Sequence, residues 1–587
     1  MQQSYFLIFL LYYNVLGKFH ISLFERMFNI IPGTRDSCIK DILLILLITT
    51  ITYLPFLGLR PWDGHEPMRV IASGYMLKTG NWIIPMLHGK LYLLKPPLMN
   101  WLIAASGAIF GTIDEWTSRI PSVLIVAITG LSIYGMTGKW LSREGRLFAA
   151  VAAISMIGLI EKGREADMDS LFVFFVVLIL LVWINGYVRK WKPSLLWSIS
   201  LLLLSIGFLA KGPQVLAFFY LTVFAYLLLR KDISFFFSKA HLFGIFFFIL
   251  VLAGYLAFVL KWVTFNEYIN MWIDQITQRA ESRYPYAFLK HIISYPLEAI
   301  FSFMPWTLLV APILLYKDAR KEAKEVFQND LFFFALTMIA VNFPLYWLLK
   351  TARFRYFLPA GPFVAIGIAA LFDSNLNGIK ENPNITAFLR RFLRLLSWLA
   401  IISVFALIPL IPSLKFSFSP SLLVLMISLA FFALLILYKI TSLKVMGMSV
   451  CIALLTGLFF LTYTYLDIQH DLQKEYHSKK IASQINALLP HDVNTVYEMG
   501  YRRLLDITCY LGKEVIQLDK FSQLKSLPDK EDKIYFIFDT AFLGTVNADD
   551  RNTFLQEIPW EKVFSFSAKK GEKEIVVGYL KKETDEH

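Results

Sequence analysis

The sequence predicts an α-helical polytopic membrane protein that closes with a small α/β domain outside the membrane. Apolar runs long enough to cross about 30 Å of hydrocarbon recur along most of the chain. Of its 587 residues 57% are hydrophobic and only 17% charged, with a mean hydropathy of +0.56, where soluble domains hold roughly 45–50% and 25%. Beyond Asp467 the long runs give way to short segments of strand and helix character.

Phe6 to Leu16 is apolar but too short to span, and reads as an interfacial helix or as an extension upstream of a start at Met27. The first span is Ile42 to Leu57. Arg26, Arg35 and Lys40 precede it and place residues 1–40 in the cytoplasm. The strong span Ile120 to Thr137 runs into Lys139, Arg143 and Arg146, which belong on the same side. Only one crossing then fits between Arg60 and Arg143, so residues 59–118, including apolar Leu98 to Phe110, form one long external loop with short helices on the membrane surface. Further on, the clusters Arg189/Lys190/Lys192, Arg230/Lys231, Lys317/Arg320/Lys321/Lys324, Arg390/Arg391/Arg394 and Lys439/Lys444 each follow an inbound span. Parity gives about 13 spans over residues 41–466 and puts residues 467–587 outside. In that tail Glu475–Leu489 reads as a helix, and Thr495–Tyr497, Glu514–Leu518, Lys533–Phe538 and Glu574–Tyr579 read as strands of a lid or docking module.

The net charge of +13 is spread over short loops, without a basic domain of interleaved aromatics, so no nucleic-acid partner is expected. Cys38, Cys451 and Cys509 show no metal-like spacing and two lie in or beside apolar runs, which argues against a disulfide framework.

Ionisable groups at membrane depth are costly, and here they gather on the external side. Asp63, His65 and Glu66 fall within Arg60-Pro-Trp-Asp-Gly-His-Glu-Pro-Met-Arg69 at the start of a helix. A carboxylate there deprotonates an acceptor or holds a divalent cation; the blander reading is capping and a surface pair with Arg69. Lys95 precedes Pro96 and Pro97 and either meets a lipid-linked phosphate or snorkels. Arg164-Glu-Ala-Asp-Met-Asp169 is a dense charged turn, in which Asp167 and Asp169 are expected to point apart on a helix. Lys211, Arg279, Arg283, Lys350, Arg353 and Arg355, with Tyr356, place positive charge outside, against the usual trend, and so imply an anionic ligand there.

Glu66-Pro, Met76-Leu-Lys-Thr-Gly-Asn-Trp82, Pro85, Gly89 and Lys95-Pro-Pro97 resemble the first external loop of the aminoarabinose transferase and protein O-mannosyltransferase superfamily. Arg119-Ile-Pro-Ser122, Arg164-x-Ala166-x-x-Asp169, Lys211-Gly-Pro213, Met304-Pro-Trp306 and Tyr356-x-Leu-Pro359-x-x-Pro362 follow in the same order, over roughly residues 42–370. The resemblance implies a GT-C fold and an inverting transferase of the bacterial inner membrane that uses an undecaprenyl-phosphate sugar. It implies that Lys95, Lys211, Arg279 and Tyr356 surround the carrier phosphate and that Asp169 supports the first loop or the acceptor. One departure matters: the family pattern has Asp-Glu before Pro, and this chain has His65-Glu66-Pro67. Either Glu66 is the base, or Asp63 reaches in, or activity is altered. Met68 stands where the family has Arg, with Arg69 next to it as the substitute, and Gln275 stands where many relatives have His, which leaves a divalent metal on Asp63, His65 and Glu66 an open question. Lipid A, a protein and another glycan all remain as acceptors. A lipid-linked sugar flippase and a non-catalytic assembly subunit are the competing readings, although no inverted repeat of broken helices is evident.

Overall fold

The computed structural model describes residues 35–280, 285–349, 352–378, 382–413, 419–473, 477–500, 504–527, 533–568 and 573–580. Met27 and the apolar run Phe6 to Leu16 lie outside them, as do Arg283 and Lys350.

Helix α1 (Arg35–Tyr53) ends short of the expected Leu57, since Pro55 lacks an amide proton and pushes Leu54 out of the helical region. The long loop that follows carries α2 (Glu66–Thr79), a two-residue hairpin of β1 (Met86–Leu87) and β2 (Lys90–Leu91), and α3 (Leu98–Phe110). His88 and Gly89 turn the hairpin with φ of 48° and 82°, the sign that a tight primed turn requires at both central positions. Asp114 then caps α4 (Glu115–Met136) in a reciprocal box with Thr117.

The bundle continues through α5 (Arg143–Ile154), α6 (Ile157–Gly163), α7 (Asp169–Val188), α8 (Pro193–Lys211), α9 (Gln214–Leu229), α10 (Lys239–Val259), α11 (Phe265–Ala280) and α12 (Pro285–Ser302). It closes with α13 (Asp330–Leu348), α14 (Ala360–Leu376), α15 (Pro383–Ser413), α16 (Pro420–Lys439) and α17 (Val445–Gln473). Seven described helices are long and apolar enough to cross a membrane, or up to eight if the bent pair Phe288–Ser302 and Trp306–Leu315 is one span. Helices α9 and α14 are apolar but shorter, so the described helices of spanning length are fewer than the expected 13. Outward-facing Leu242, Phe243, Phe246 and Ile249 on α10 are more than half exposed, which fits a lipid-facing helix. The chain is a multi-pass membrane protein.

The tail holds α18 (Ser478–Leu488) and one sheet in the order β4-β3-β5-β7-β6. Strands β3 (Thr495–Met499), β4 (Glu514–Leu518) and β5 (Ile534–Asp539) are parallel, while β7 (Lys573–Leu580) joins antiparallel. Every residue of β5 is buried, as befits a central strand covered on both faces. β6 (Trp560–Ala568) was not expected from the sequence. It is an edge strand with exposed Phe564 and charged Glu561 and Lys562, which blur the alternation.

Candidate functional site

Two buried arginines fix the chain as it leaves α1. Arg164 donates to the carbonyls of Thr52, Tyr53 and Pro55 at 3.0, 2.7 and 2.6 Å, and so satisfies groups that a helix C-terminus leaves open. Arg119, on α4, donates to the carbonyls of Leu57, Arg60 and Pro61. Its remaining fork meets Glu66: Nε to Oε1 at 2.7 Å and Nη2 to Oε2 at 2.8 Å. Glu66 Oε1 also accepts from the Ala166 amide at 2.7 Å, and Oε2 from the Asp63 amide at 3.1 Å. A carboxylate has about four acceptor positions, so Glu66 has no lone pair over for an acceptor hydroxyl. The surface pair between Glu66 and Arg69 does not form. Both side chains are buried, and Arg69 turns instead to Asp167 at 3.4 Å.

Asp167 and Asp169 do share a site, contrary to the expectation from helix spacing. Helix α7 begins at Asp169, so Asp167 lies in the irregular turn before it, where the 100° step does not apply. Arg355 Nη1 bridges them, 3.6 Å from Asp167 and 3.7 Å from Asp169. Lys211 ion-pairs with Asp169, its ammonium 4.5 Å from the Phe172 ring centre and 5.3 Å from that of Tyr356. Local sequence puts Lys211 there: it is the last residue of α8, Gly212 takes φ 83°, and Pro213 precedes α9. His65 completes the cluster, its Nε2 accepting from Arg355 Nη2 at 2.9 Å.

Burial opposes charge on Asp167, but Arg69, His65, the Met168 amide and Arg355 outweigh it and hold its pKa below the ordinary carboxylate range. Burial, together with Arg355, Arg69 and Arg353, holds His65 below its usual value against the pull of Asp167. Arg69, Lys211 and Arg355 then face Asp167 and Asp169 with a net charge of one positive. Arg69 Nη1 and Arg355 Nε are buried donors without a hydrogen-bond partner among the described residues. That combination suits an anion that accepts several hydrogen bonds.

Of the residues singled out in the sequence, Asp169, Lys211 and Tyr356 come together here. Asp63 stands next to the cluster in sequence, on the turn before His65. Its side chain is 74% exposed and 3.1 Å from Arg60. Lys95 is half-buried ahead of α3, and Arg279 lies on α11 with its side chain outside the described residues. No group of three His, Cys, Asp or Glu among the described residues can hold a metal ion. Asp63, His65 and Glu66 thus do not fit a metal: Glu66 is saturated, and His65 Nε2 is taken by Arg355. From the sequence, Arg69 stands only as a substitute for the family's arginine and Arg119 only within a motif, neither with a role in the site. The available signal was the motif Arg119-Ile-Pro-Ser122, which puts an arginine at the mouth of a span.

Residues 94–258 match the model of the dolichyl-phosphate-mannose-protein mannosyltransferase family. The chain is similar to a protein of Aquifex aeolicus, 27% identical over 391 residues, which are 65% of this chain and 74% of that one. It is also similar to the undecaprenyl phosphate-alpha-4-amino-4-deoxy-L-arabinose arabinosyl transferases of Pseudomonas savastanoi pv. phaseolicola, 28% identical over 30% of this chain and 33% of that one, and of Pseudomonas aeruginosa, 33% identical over 26% and 28%. The likeness to these two named transferases thus spans a third of their length or less. Over the whole fold, the ArnT of Cupriavidus metallidurans bound to undecaprenyl phosphate superposes with a TM-score of 0.64 at 15% identity, covering 93% of this chain and 98% of that one.

Proposed function

We propose that this chain, a member of the GT-C glycosyltransferase superfamily, moves a sugar from a polyprenyl-phosphate donor to a lipid A, protein or glycan acceptor at the outer face of the bacterial inner membrane. The observation that carries the reading is the buried net-positive cluster of Arg69, Lys211 and Arg355 around Asp167 and Asp169, with two guanidinium N–H groups unspent. It suits the phosphate of a glycosyl carrier, on which negative charge grows as the glycosidic bond breaks. The transmembrane catalytic region is 41–466 with the loop 59–118 outside, and 467–587 is an extracytoplasmic domain.

In this reading the acceptor oxygen attacks the anomeric carbon from the face opposite the carrier. Asp63 takes its proton, the bond to the carrier phosphate breaks, and the configuration inverts. Asp63 suits the base better than Glu66, because among the described residues its exposed carboxylate is held only by Arg60 and the Gly64 amide. Glu66 ties the loop to α4, and Asp169 aims Lys211. Tyr356, Lys95 and Arg279 complete the surroundings of the carrier phosphate. The donor is already activated, so positioning and charge stabilisation supply most of the rate.

The test is mass spectrometry of lipid A and of envelope glycans from cells that carry the wild type or Asp63→Asn. A sugar-sized mass missing from one fraction of the variant supports transfer and names the acceptor class. Identical profiles with equal membrane insertion sink the reading.

A further inference from the structure

We infer that the tail domain completes the active-site loop, and that Tyr510 is a positioning residue for Asp63; the inference rests on the transferase reading above. Arg119 organises the carbonyls of residues 57–61, but the amide of Trp62, the residue before Asp63, finds its acceptor in the tail: Tyr510 Oη at 2.7 Å. The Tyr510 hydroxyl itself donates to Glu115 Oε1 at 3.2 Å, and Lys479 Nζ donates to the same oxygen at 2.6 Å. Burial raises the tyrosine's pKa far above its ordinary value, so the hydroxyl stays intact and serves both bonds.

The rings of Trp62 and Tyr510 stack with centres 4.7 Å apart and planes 19° from parallel. Trp62 is 6% exposed, and its Nε1 donates to Ser118 Oγ at 3.0 Å, one residue from Arg119. Its orientation is therefore fixed from both sides, by α4 and by the tail. A second contact supports the same docking. The Gln517 amide donates to the His88 carbonyl at 2.9 Å, and Leu505 enters an apolar cluster with Ala72, Leu87 and Tyr92 of the loop. Hairpin, helix α2 and Trp62 are thus all seated on one surface of the tail. Asp63 follows directly from Trp62, so the backbone that carries its carboxylate is anchored by a side chain 448 positions away in sequence.

The experiment measures kcat and donor KM per folded enzyme for full-length wild type, Asp63→Asn, Tyr510→Phe, Tyr510→Ala and the Trp62→Ala/Tyr510→Ala double variant, with a synthetic polyprenyl-phosphate sugar as donor. Loss of the hydroxyl leaves a buried amide unpaired, so Tyr510→Phe lowers kcat about tenfold, with donor KM changed by less than about twofold. Tyr510→Ala lowers kcat further, and the double variant is no worse than the more damaged single one, because both residues act through one contact. A domain that merely stabilises the protein changes the yield of folded enzyme and leaves kcat per molecule alone. Unchanged kcat in Tyr510→Ala beside an active wild type overturns this inference only. A wild type that transfers nothing overturns the transferase reading, and this inference with it.

Discussion

Replacing Glu66 by Gln separates a structural clamp from a catalytic base. In the native loop the carboxylate takes two charged bonds from Arg119, at 2.7 and 2.8 Å, and two from backbone amides, with both side chains 2% exposed. Glutamine keeps one acceptor oxygen and turns an NH2 towards two donors, leaving a buried guanidinium without its counter-charge. Breaking a buried pair from one side costs about 3–5 kcal/mol. The loss falls on the loop rather than on the whole bundle, so the readout is amide hydrogen exchange over residues 57–79. At ~1.4 kcal/mol per tenfold, exchange there speeds up by at least about 100-fold. Asp63→Asn, altered at an exposed side chain, leaves exchange close to wild type while transfer is lost. A Glu66→Gln protein with native loop protection and no transfer would refute this reasoning and make Glu66 the base.

In the proposed site Lys211→Met removes a charged contact to the carrier phosphate, worth ~1.5–3 kcal/mol, and raises donor KM about 10- to 100-fold in steady-state kinetics; an unchanged KM removes Lys211 from the phosphate site. The docked hairpin also has a pH signature. His88 Nε2 lies 3.5 Å from Glu498 Oε2; burial pushes Glu498 up to about 8 and His88 down to about 4. Between pH 4.5 and 8 the folded carboxyl keeps a proton that the unfolded one has lost, so stability falls as pH rises. Between pH 4 and 6.5 the unfolded imidazole holds a proton that the folded one lacks, so stability rises with pH. The slopes oppose each other below pH 6.5. Net loosening of the hairpin, read by exchange over residues 86–91, therefore falls at pH 6.5–8, and Glu498→Gln abolishes it. In the bundle, Gly145→Ala drives a Cβ to 2.0 Å from Asp373 Oδ1, which receives the Ser142 hydroxyl at 2.6 Å. Overpacking of that kind costs about 1–3 kcal/mol and lowers Tm in detergent; an unchanged Tm would show that the Asp373 side chain is free to move.

Most of the architecture was legible because hydropathy and loop charge are local properties. The span written as Ile120–Thr137 appears as Glu115–Met136, and β4 has the limits read from its residues. α1 ended early at a proline, and β6 was missed because an exposed edge dilutes the alternating pattern. The site was less legible, since its bonds join distant segments. Nothing near Glu66 indicates that Arg119, 53 positions on, will occupy it. Asp167 and Asp169 were expected to point apart because helical spacing was applied to both, whereas the helix begins only at Asp169. The contact of Trp62 with Tyr510 crosses between two regions whose sequences carry no sign of each other.

The most direct test of the central claim follows a defined polyprenyl-phosphate sugar in vesicles that contain the purified protein and the acceptor fraction identified in cells. If the chain is this transferase, free polyprenyl phosphate is released in step with sugar appearing, with inverted configuration, on the acceptor, and neither event occurs with Asp63→Asn. Donor that crosses between leaflets with its glycosidic bond intact, equally in wild type and variant, contradicts it.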